Sequence, residues 1–254
     1  MSANGRNYEE RLPPFRHSPP DSLVHKLKLG ARLLADFQVR TVYQRLRRMV
    51  PALEGTILDI GCGESPYQHL VTGPEAHYVG IDIHDAAKFG YHNRDAVRFD
   101  GRTISAPDGS IDHVLCTEVL EHVPDAGHLV AEMHRVLKKG GTGIITVPWS
   151  ARYHYIPFDY HRFTPSALEP MFRDFSSVTI EPRGTDLTVI ASKIVVAYLR
   201  GILPGRSPSS WARVLVAVVC TPIVAGVVAL GHLSLAFGWG STDDPLGYVV
   251  HVKK

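Results

Sequence analysis

The chain has 254 residues, 44% of them hydrophobic, and a formal net charge of +2. This length favours one elaborated domain with a large core rather than two full domains. The cysteines Cys62, Cys116 and Cys220 lie far apart without a CxxC spacing, which argues against a disulfide framework or a zinc site and favours a reducing, cytosolic setting.

The first predicted elements are an arm and a helix. Residues 1–20 are polar and proline-rich, without the apolar core of a signal peptide, and we expect a flexible arm. Across residues 23–49, apolar side chains recur at helical spacing and basic side chains fill much of the remainder. This pattern predicts one basic amphipathic helix, which either lies on an anionic membrane surface or packs its apolar face on a sheet. Basic residues concentrated in one helix, with no array of stacking aromatics, argue against nucleic-acid binding.

A glycine-rich turn follows the first predicted strand. The strand ends in Asp59, Gly61 and Gly63, a spacing that lets the backbone pass close to a ligand. A strand, such a turn and a following helix are typical of a nucleotide-type cofactor site. The second strand ends in Asp82, whose carboxylate can accept both ribose hydroxyls of an adenosine. Pro66 replaces the third glycine of a dinucleotide fingerprint, so these residues alone fit either NAD or S-adenosylmethionine (SAM).

Further motifs follow at later strand ends. They are FDG, EVLEHV and LKKGGTGIITVP, and they come after LDIGCG and VGID. This series resembles the class I SAM-dependent methyltransferases, in particular the type 11 methyltransferase domain, over about residues 50–180. The resemblance implies an α/β fold, with a Rossmann-like seven-stranded sheet, helices on both faces, and a last strand inserted antiparallel beside the sixth. The predicted strands cover residues 56–60, 78–83, 96–101, 111–118, 144–148, 177–181 and 247–253.

The resemblance implies SAM as the cofactor and assigns residues to it. The turn acid and glycines would shape the pocket for the methionine part, and the acid ending the second strand would hold the ribose. The acid ending the third strand would meet the adenine amino group, or would be an ordinary turn residue. The implied cofactor-binding residues are Asp59, Gly61, Gly63, Asp82, Asp100, Gly101 and Glu118.

The methyl acceptor is expected beside residues 149–163, which we call the acceptor loop. This loop is dense in aromatic side chains and in groups that can move protons. Asp159 could orient a histidine base and Arg162 could bind an anionic group, or the two could simply pin the loop by a salt bridge. The candidates are His154, His161 and Asp159 for catalysis, and Tyr155 and Arg162 for substrate binding.

Glu118, Glu121 and His122 have the spacing of one helical face, on which they could bind a divalent ion. Some methyltransferases use this spacing for a metal, and many relatives with this motif are not known to need one. No metal is predicted.

A long apolar segment separates the last two predicted strands. It covers residues 184–242, and within it residues 214–237 carry no Asp, Glu, Lys or Arg. As one helix, residues 214–237 would reach about 36 Å, enough to cross a hydrocarbon core of about 30 Å. Three arrangements stay open: a re-entrant or monotopic hairpin kinked at Pro222, a true span with no seventh strand in the sheet, or burial in a soluble dimer interface.

These expectations define four regions. Residues 1–50 form the arm and basic helix, 51–183 the SAM-binding core, 184–242 the hydrophobic helical insertion, and 243–254 the last strand. We expect a SAM-dependent methyltransferase at the cytoplasmic face of a membrane, with a hydrophobic or lipid-linked small-molecule acceptor. The alternatives are a soluble, cytoplasmic O- or N-methyltransferase whose insertion is a lid or homodimer contact, and a non-catalytic membrane scaffold retaining the fold.

Overall fold

The computed structural model describes residue 15, residues 19–202 and residues 208–254. The predicted flexible arm therefore lies mainly outside the described residues, and so does most of the predicted break after residue 203.

A seven-stranded mixed sheet forms the centre of the fold. The strands are β1 (Gly55–Ile60), β2 (Ala76–Ile83), β3 (Val97–Phe99), β4 (Ile111–Thr117), β5 (Leu137–Pro148), β6 (Ser177–Arg183) and β7 (Gly247–Lys253). Their order is β3-β2-β1-β4-β5-β7-β6, with β1 to β5 parallel and β7 antiparallel to both of its neighbours. The predicted fold class is confirmed, including the last strand inserted beside the sixth.

The central strands are apolar because helices or loops cover both faces of a parallel sheet. In β1, Ile57, Leu58 and Ile60 are at most 2% exposed, and Leu115 and Cys116 of β4 are equally buried. Parallel strands end at the same edge of the sheet. The polar residues that follow β1, β2 and β4 are therefore brought together at that edge, where ligands bind in open α/β sheets.

Seven α-helices accompany the sheet within the described residues. They are α1 (Leu23–Ala35), α2 (Phe37–Met49), α3 (Ala126–Val136), α4 (Pro165–Met171), α5 (Asp186–Ile202), α6 (Pro208–Val219) and α7 (Thr221–Phe237).

The prediction of one continuous N-terminal helix is wrong, because the chain breaks at Asp36. This residue has extended backbone angles (φ −111°, ψ 95°), and its carboxylate accepts the Val39 N–H at the start of α2. Helix α2 buries Phe37, Val42 and Leu46, whereas α1 has no fully buried residue. The break lets α2 pack on the core while α1 stays at the surface.

The helix expected directly after the glycine turn is also absent. A short 3-10 helix, Gln68–Leu70, takes its place. Ser65 has a left-handed φ of 52° and Pro66 lacks an amide N–H, so the chain cannot continue from the turn into a regular helix.

The insertion between β6 and β7 folds as α5, α6 and α7. The long helix expected over residues 214–237 is divided at Cys220, because Pro222 lies in the first turn of α7 and cannot continue the preceding hydrogen-bond pattern. Among the described residues, no helix is both long and apolar enough to cross a bilayer. The arrangement with a C-terminal span and no seventh strand is wrong, since β7 lies in the sheet.

The insertion packs against the N-terminal helices. A Cβ atom on Gly231 of α7 would lie 2.5 Å from Cζ of Phe37, so only glycine permits this approach. Phe37 shares a buried cluster with Val189 and Ala191 of α5, and His232 donates from Nε2 to the Leu34 carbonyl oxygen at 2.8 Å. We call α1, α2, α5 and α7 the helical layer, since they form one packed body on the sheet.

Candidate active site

A cavity of about 970 Å³ lies between the carboxyl ends of the parallel strands and the helical layer. Its volume is at the upper end of the range usual for small-molecule sites. Gly61, Gly63, Asp82 and Glu118 line the sheet side. The opposite wall comes from α1 and α2, which precede the core in sequence, and from α5 of the insertion. These two regions therefore close the cavity over the strand ends.

The glycine turn is held in a tightly packed conformation. Gly61 has a φ of +68°, and a Cβ atom there would lie 2.5 Å from a Val119 methyl carbon. Gly63 has a φ of +52°, and its N–H donates to Oδ2 of Asp82 at 2.9 Å. The other carboxylate oxygen of Asp82 accepts the Ile83 N–H at 2.7 Å. These bonds hold the turn and the Asp82 carboxylate together in the cavity wall.

Asp59 lies beneath the turn and does not itself line the cavity. It is 2% exposed, and its Oδ2 accepts the hydroxyl of Tyr78 at 2.6 Å. Burial raises the pKa of Asp59 from 3.8 to about 7, a rise that the Tyr78 hydrogen bond opposes and the nearby Asp82 charge increases. The Asp59 side chain therefore joins β1 to β2 within the core.

We expect the Asp59→Asn variant to lose part of the pH dependence of unfolding. Because the pKa of Asp59 is higher in the folded state, its stabilising contribution is complete below about pH 4 and is lost as the pH rises towards 7. The loss has a slope of up to about 1.4 kcal/mol per pH unit. Urea unfolding from pH 4 to 8 should show a shallower decline for Asp59→Asn. The exposed Asp85→Asn serves as the control, and equal slopes in the two variants would contradict the assignment.

A buried arginine connects Glu118 to the helical layer. The Arg183 side chain, 0% exposed, donates from Nη2 to both carboxylate oxygens of Glu118 at 2.8 and 2.7 Å. Its Nη1 donates to the Gln38 side-chain oxygen at 2.9 Å and to the Thr41 hydroxyl at 3.1 Å. Thr146 also donates to Glu118 at 2.9 Å. The network fixes the Glu118 carboxylate at the cavity wall and joins it to α2.

The acceptor loop is pinned by an ion pair. Arg162 donates to both carboxylate oxygens of Asp159, and Asp159 also accepts the His154 backbone N–H at 3.1 Å. Because Arg162 and the other bonds outweigh burial, the pKa of Asp159 falls well below its ordinary value. Neither Asp159 nor Arg162 lines the cavity, but Oδ2 of Asp159 also lies 3.1 Å from Nδ1 of His154. The geometry therefore fits both a pinned loop and an Asp159 that orients His154, and the catalytic role of Asp159 stays a prediction. His161 is turned away too, with its Nε2 3.1 Å from the Val123 carbonyl oxygen.

Two histidines and a tyrosine of the predicted regions do reach the cavity. His122, His154 and Tyr155 all line it, with ring centroids 4.9 to 5.3 Å apart. The Nδ1 atoms of His122 and His154 lie 2.7 and 2.8 Å from the carbonyl oxygens of Phe158 and Arg152. A carbonyl only accepts, so each Nδ1 carries the proton and each Nε2 has the lone pair when the ring is neutral. Burial lowers the pKa of His122 to about 4, so this ring is neutral at pH 7.

Glu118, Glu121 and His122 do not share a helical face as their spacing suggested. Glu118 has a left-handed φ of 54°, and only a short 3-10 helix, Leu120–His122, follows it. Glu118 is drawn into the pair with Arg183, whereas Glu121 is fully buried beside His122. Burial, with a smaller effect from the Glu118 charge, raises the pKa of Glu121 well above its ordinary value.

Asp100 caps the turn that follows β3. Its Oδ1 accepts the backbone N–H groups of Arg102 and Thr103 at 2.8 and 2.7 Å, and the side chain is exposed. These bonds lower the pKa of Asp100. Gly101, the next residue, lines the cavity instead. Asp100 therefore has the geometry of an ordinary turn residue, which was the alternative interpretation. Its contact with adenine stays a prediction.

Sequence reasoning missed Arg183 and Tyr91. Arg183 follows no motif, and an arginine is rarely expected to be buried. The hydroxyl groups of Tyr91 and Tyr155 share a hydrogen bond of 2.6 Å, and the Tyr91 ring packs against Gly63. A tyrosine in a loop gives no local pattern that would place it there. Both contacts join residues that are distant in sequence.

The region that contains the glycine turn is similar to known proteins. Residues 58–145 match the family model of a methyltransferase domain. A crystal structure of a SAM-dependent methyltransferase from Archaeoglobus fulgidus is similar over 91% of this chain and 100% of that chain, with a TM-score of 0.52 and 20% identity, a likeness of fold alone. This region belongs to the class I SAM-dependent methyltransferases, and SAM is the cofactor of that class.

Two curated relatives are similar to the core. A probable S-adenosylmethionine-dependent methyltransferase of Mycolicibacterium smegmatis is 31% identical over 128 residues, which are 49% of this chain and 47% of the relative. A ubiquinone biosynthesis O-methyltransferase of Pseudomonas paraeruginosa is 36% identical over 95 residues, 34% of this chain and 41% of the relative. The chain thus spans less than half the length of either relative.

Proposed function

We propose that the protein transfers a methyl group from SAM to a hydrophobic or lipid-linked acceptor at a membrane surface. The observation that carries the proposal is the cavity, which runs from the glycine turn to apolar side chains of the insertion. Val195, Val196 and Leu199 of α5 line its far wall. A small polar acceptor would not need this apolar extension.

The donor side of the cavity suits SAM. Gly61 and Gly63 both line the cavity, and without side chains they present backbone there, so a cofactor can lie against the turn. The Asp82 carboxylate, already oriented by two backbone N–H groups, would bind the ribose hydroxyls. When bound, SAM supplies an electrophilic methyl group. The chain's own contribution is to orient the two reactants and exclude water between the strand ends and the helical layer.

The acceptor side combines apolar and cationic groups. Lys28 of α1 and Arg200 of α5 lie in the same wall as the apolar residues of α5. This combination favours an acceptor with an apolar chain and an anionic group, as in a lipid-linked molecule. The Pseudomonas paraeruginosa relative is named for ubiquinone biosynthesis, which supports a hydrophobic acceptor class.

Exposed apolar side chains on the helices support the membrane part of the proposal. Residues 208–237 contain no carboxylate, and α1 adds Lys26 and Lys28. Apolar surface with nearby positive charge is the composition that binds anionic membranes. The exposed apolar side chains include Leu23, Leu27, Leu215, Val219, Ile223 and Phe237.

The transfer reaction is tested with labelled SAM. Purified protein is incubated with labelled SAM and with separate lipid and water-soluble extracts. We expect label in the lipid extract, and none with an Asp82→Asn variant, whose SAM affinity is measured in parallel by calorimetry. Label only in the water-soluble extract supports the soluble alternative. Absence of SAM binding supports the non-catalytic scaffold.

Membrane binding is tested by flotation with vesicles containing anionic lipid. We expect wild-type protein to float, and the Leu215→Glu/Val219→Glu variant to bind at least about tenfold more weakly, since each buried side chain contributes about 1.5–3 kcal/mol. Val97→Glu is the control, because Val97 is also an exposed valine, at 51%, but lies on β3. Wild-type protein that stays in the bottom fraction would contradict the membrane proposal.

A further inference from the structure

We propose that Glu121, His122 and His154 bind one divalent transition-metal ion in the wall of the cavity. Each offers a ligand atom, and these atoms all lie within 4.8 Å of one another. The Glu121 carboxylate and Nε2 of His122 are 3.7 Å apart. Tetrahedral ligands at about 2.0–2.1 Å from an ion are roughly 3.3 Å apart, so small side-chain movements complete the site.

The buried carboxylate is the strongest observation for a ligand. Glu121 is fully buried, and among the described residues neither of its side-chain oxygens has a hydrogen-bond partner. A buried carboxylate without partners is unfavourable unless it is protonated or coordinates a metal ion. The backbone oxygen of Glu121 is satisfied separately, by the Tyr160 N–H at 2.8 Å. The surrounding chain therefore holds this residue in place without using its charge.

The two histidines already have the arrangement found in metal ligands. Each donates Nδ1–H to a backbone carbonyl oxygen, of Phe158 for His122 and of Arg152 for His154. Such bonds fix the ring orientation and direct the Nε2 lone pair to an ion. The residues come from two separate segments, since His154 belongs to the acceptor loop. An ion would join this loop to the strand-end segment.

The ligand types indicate the class of ion. Two imidazole nitrogens and one carboxylate favour zinc, iron, cobalt or manganese over magnesium and calcium, which prefer oxygen ligands. Three protein ligands leave at least one position open, and His122 and His154 both line the cavity. If the proposed methyl transfer is correct, an acceptor hydroxyl bound there would have a lowered pKa and would lose its proton to a base in solution. Its oxygen would then bond to the methyl carbon as the carbon–sulfur bond of SAM breaks, and S-adenosylhomocysteine would leave. Metal binding itself does not depend on that reaction.

The test uses full-length, tag-free protein stripped with a chelator. We expect calorimetry to show one Zn²⁺ per chain, and Co²⁺ to give visible absorption bands of a nitrogen- and oxygen-ligated ion. His122→Ala, His154→Ala and the near-isosteric Glu121→Gln should each weaken Zn²⁺ binding at least about tenfold. His84→Ala, at an exposed histidine outside the site, should bind Zn²⁺ as wild type does.

SAM affinity and circular dichroism of the variants are measured alongside, so that unfolding is not mistaken for a lost ligand. The proposal is overturned if folded wild-type protein fails to bind one Zn²⁺ or Co²⁺ per chain. It is also overturned if folded Glu121→Gln, His122→Ala and His154→Ala variants bind as tightly as His84→Ala. A protein that binds Zn²⁺ but methylates nothing would reject the proposed function and keep the metal site.

Discussion

Replacement of Arg183 by methionine is expected to lower the free energy of unfolding by about 2–3 kcal/mol, because it removes a charge-assisted pair with Glu118 and leaves buried acceptors without their donor. The Arg183 side chain is inaccessible to solvent and donates hydrogen bonds to Glu118, Gln38 and Thr41. Methionine fills much of the volume but donates no hydrogen bond, so the Glu118 carboxylate keeps only the Thr146 hydroxyl. Urea unfolding monitored by circular dichroism measures the change.

Arg45→Met is the matched control, because Arg45 of α2 pairs with Glu181 of β6 at a more exposed site. Its side chain is 33% exposed and that of Glu181 is 40% exposed. An exposed pair contributes about 0–1 kcal/mol, so this variant should remain close to wild type. A double variant, Arg183→Met with Glu118→Gln, should recover part of the loss. Equal stability of the two single variants would show that the network is not a main stabilising contact.

The Gly61→Ala variant is expected to lose SAM affinity by at least about tenfold and stability by about 2–4 kcal/mol. Alanine is strained at a φ of +68°, and its methyl group would lie 2.5 Å from a Val119 methyl carbon in the cavity wall. The turn and Val119 must separate, and this alters the surface that would hold the methionine part of SAM. Calorimetry with SAM and thermal unfolding give the two values.

Gly140→Ala separates backbone strain from the local clash. Gly140 has a φ of +82°, but a Cβ atom there would meet nothing within 4 Å. This variant should lose about 1–2 kcal/mol of stability from strain and bind SAM as wild type does. If Gly61→Ala also binds SAM normally, the glycine turn is not the donor site.

The sheet could be predicted because its strands carry local signals. Leu58 and Ile60 belong to a mainly apolar stretch, and the acid Asp59 followed by Gly61 indicates that the strand ends in a turn. The interruptions in the helices were harder to predict. Asp36 looks like one more polar residue on an amphipathic helix, and its role as a cap depends on the surroundings of α1 and α2. Pro222 did predict a break in the helix, and in the structure the helix is interrupted at Cys220.

The cavity-lining residues could be predicted where they directly follow or end a strand. Gly63 lies in the turn after β1, bonded to Asp82 of β2, and both residues line the cavity as the motifs indicated. The acceptor side depends on long-range contacts. Arg183 is 65 positions from Glu118, and which face of the acceptor loop meets the cavity depends on the Asp159–Arg162 pair. Sequence spacing alone could not separate His154, which lines the cavity, from His161, which does not.

The position of β7 sets an order for assembly during synthesis. Strand β7 lies between β5 and β6, but its residues are made after all three helices of the insertion. Until they emerge from the ribosome, β5 and β6 each have an edge without its partner, and unpaired edges are where nascent chains associate wrongly. The apolar insertion is complete during the same interval. We therefore expect slower translation over residues 184–253 to lengthen the time for which these edges stay unpaired.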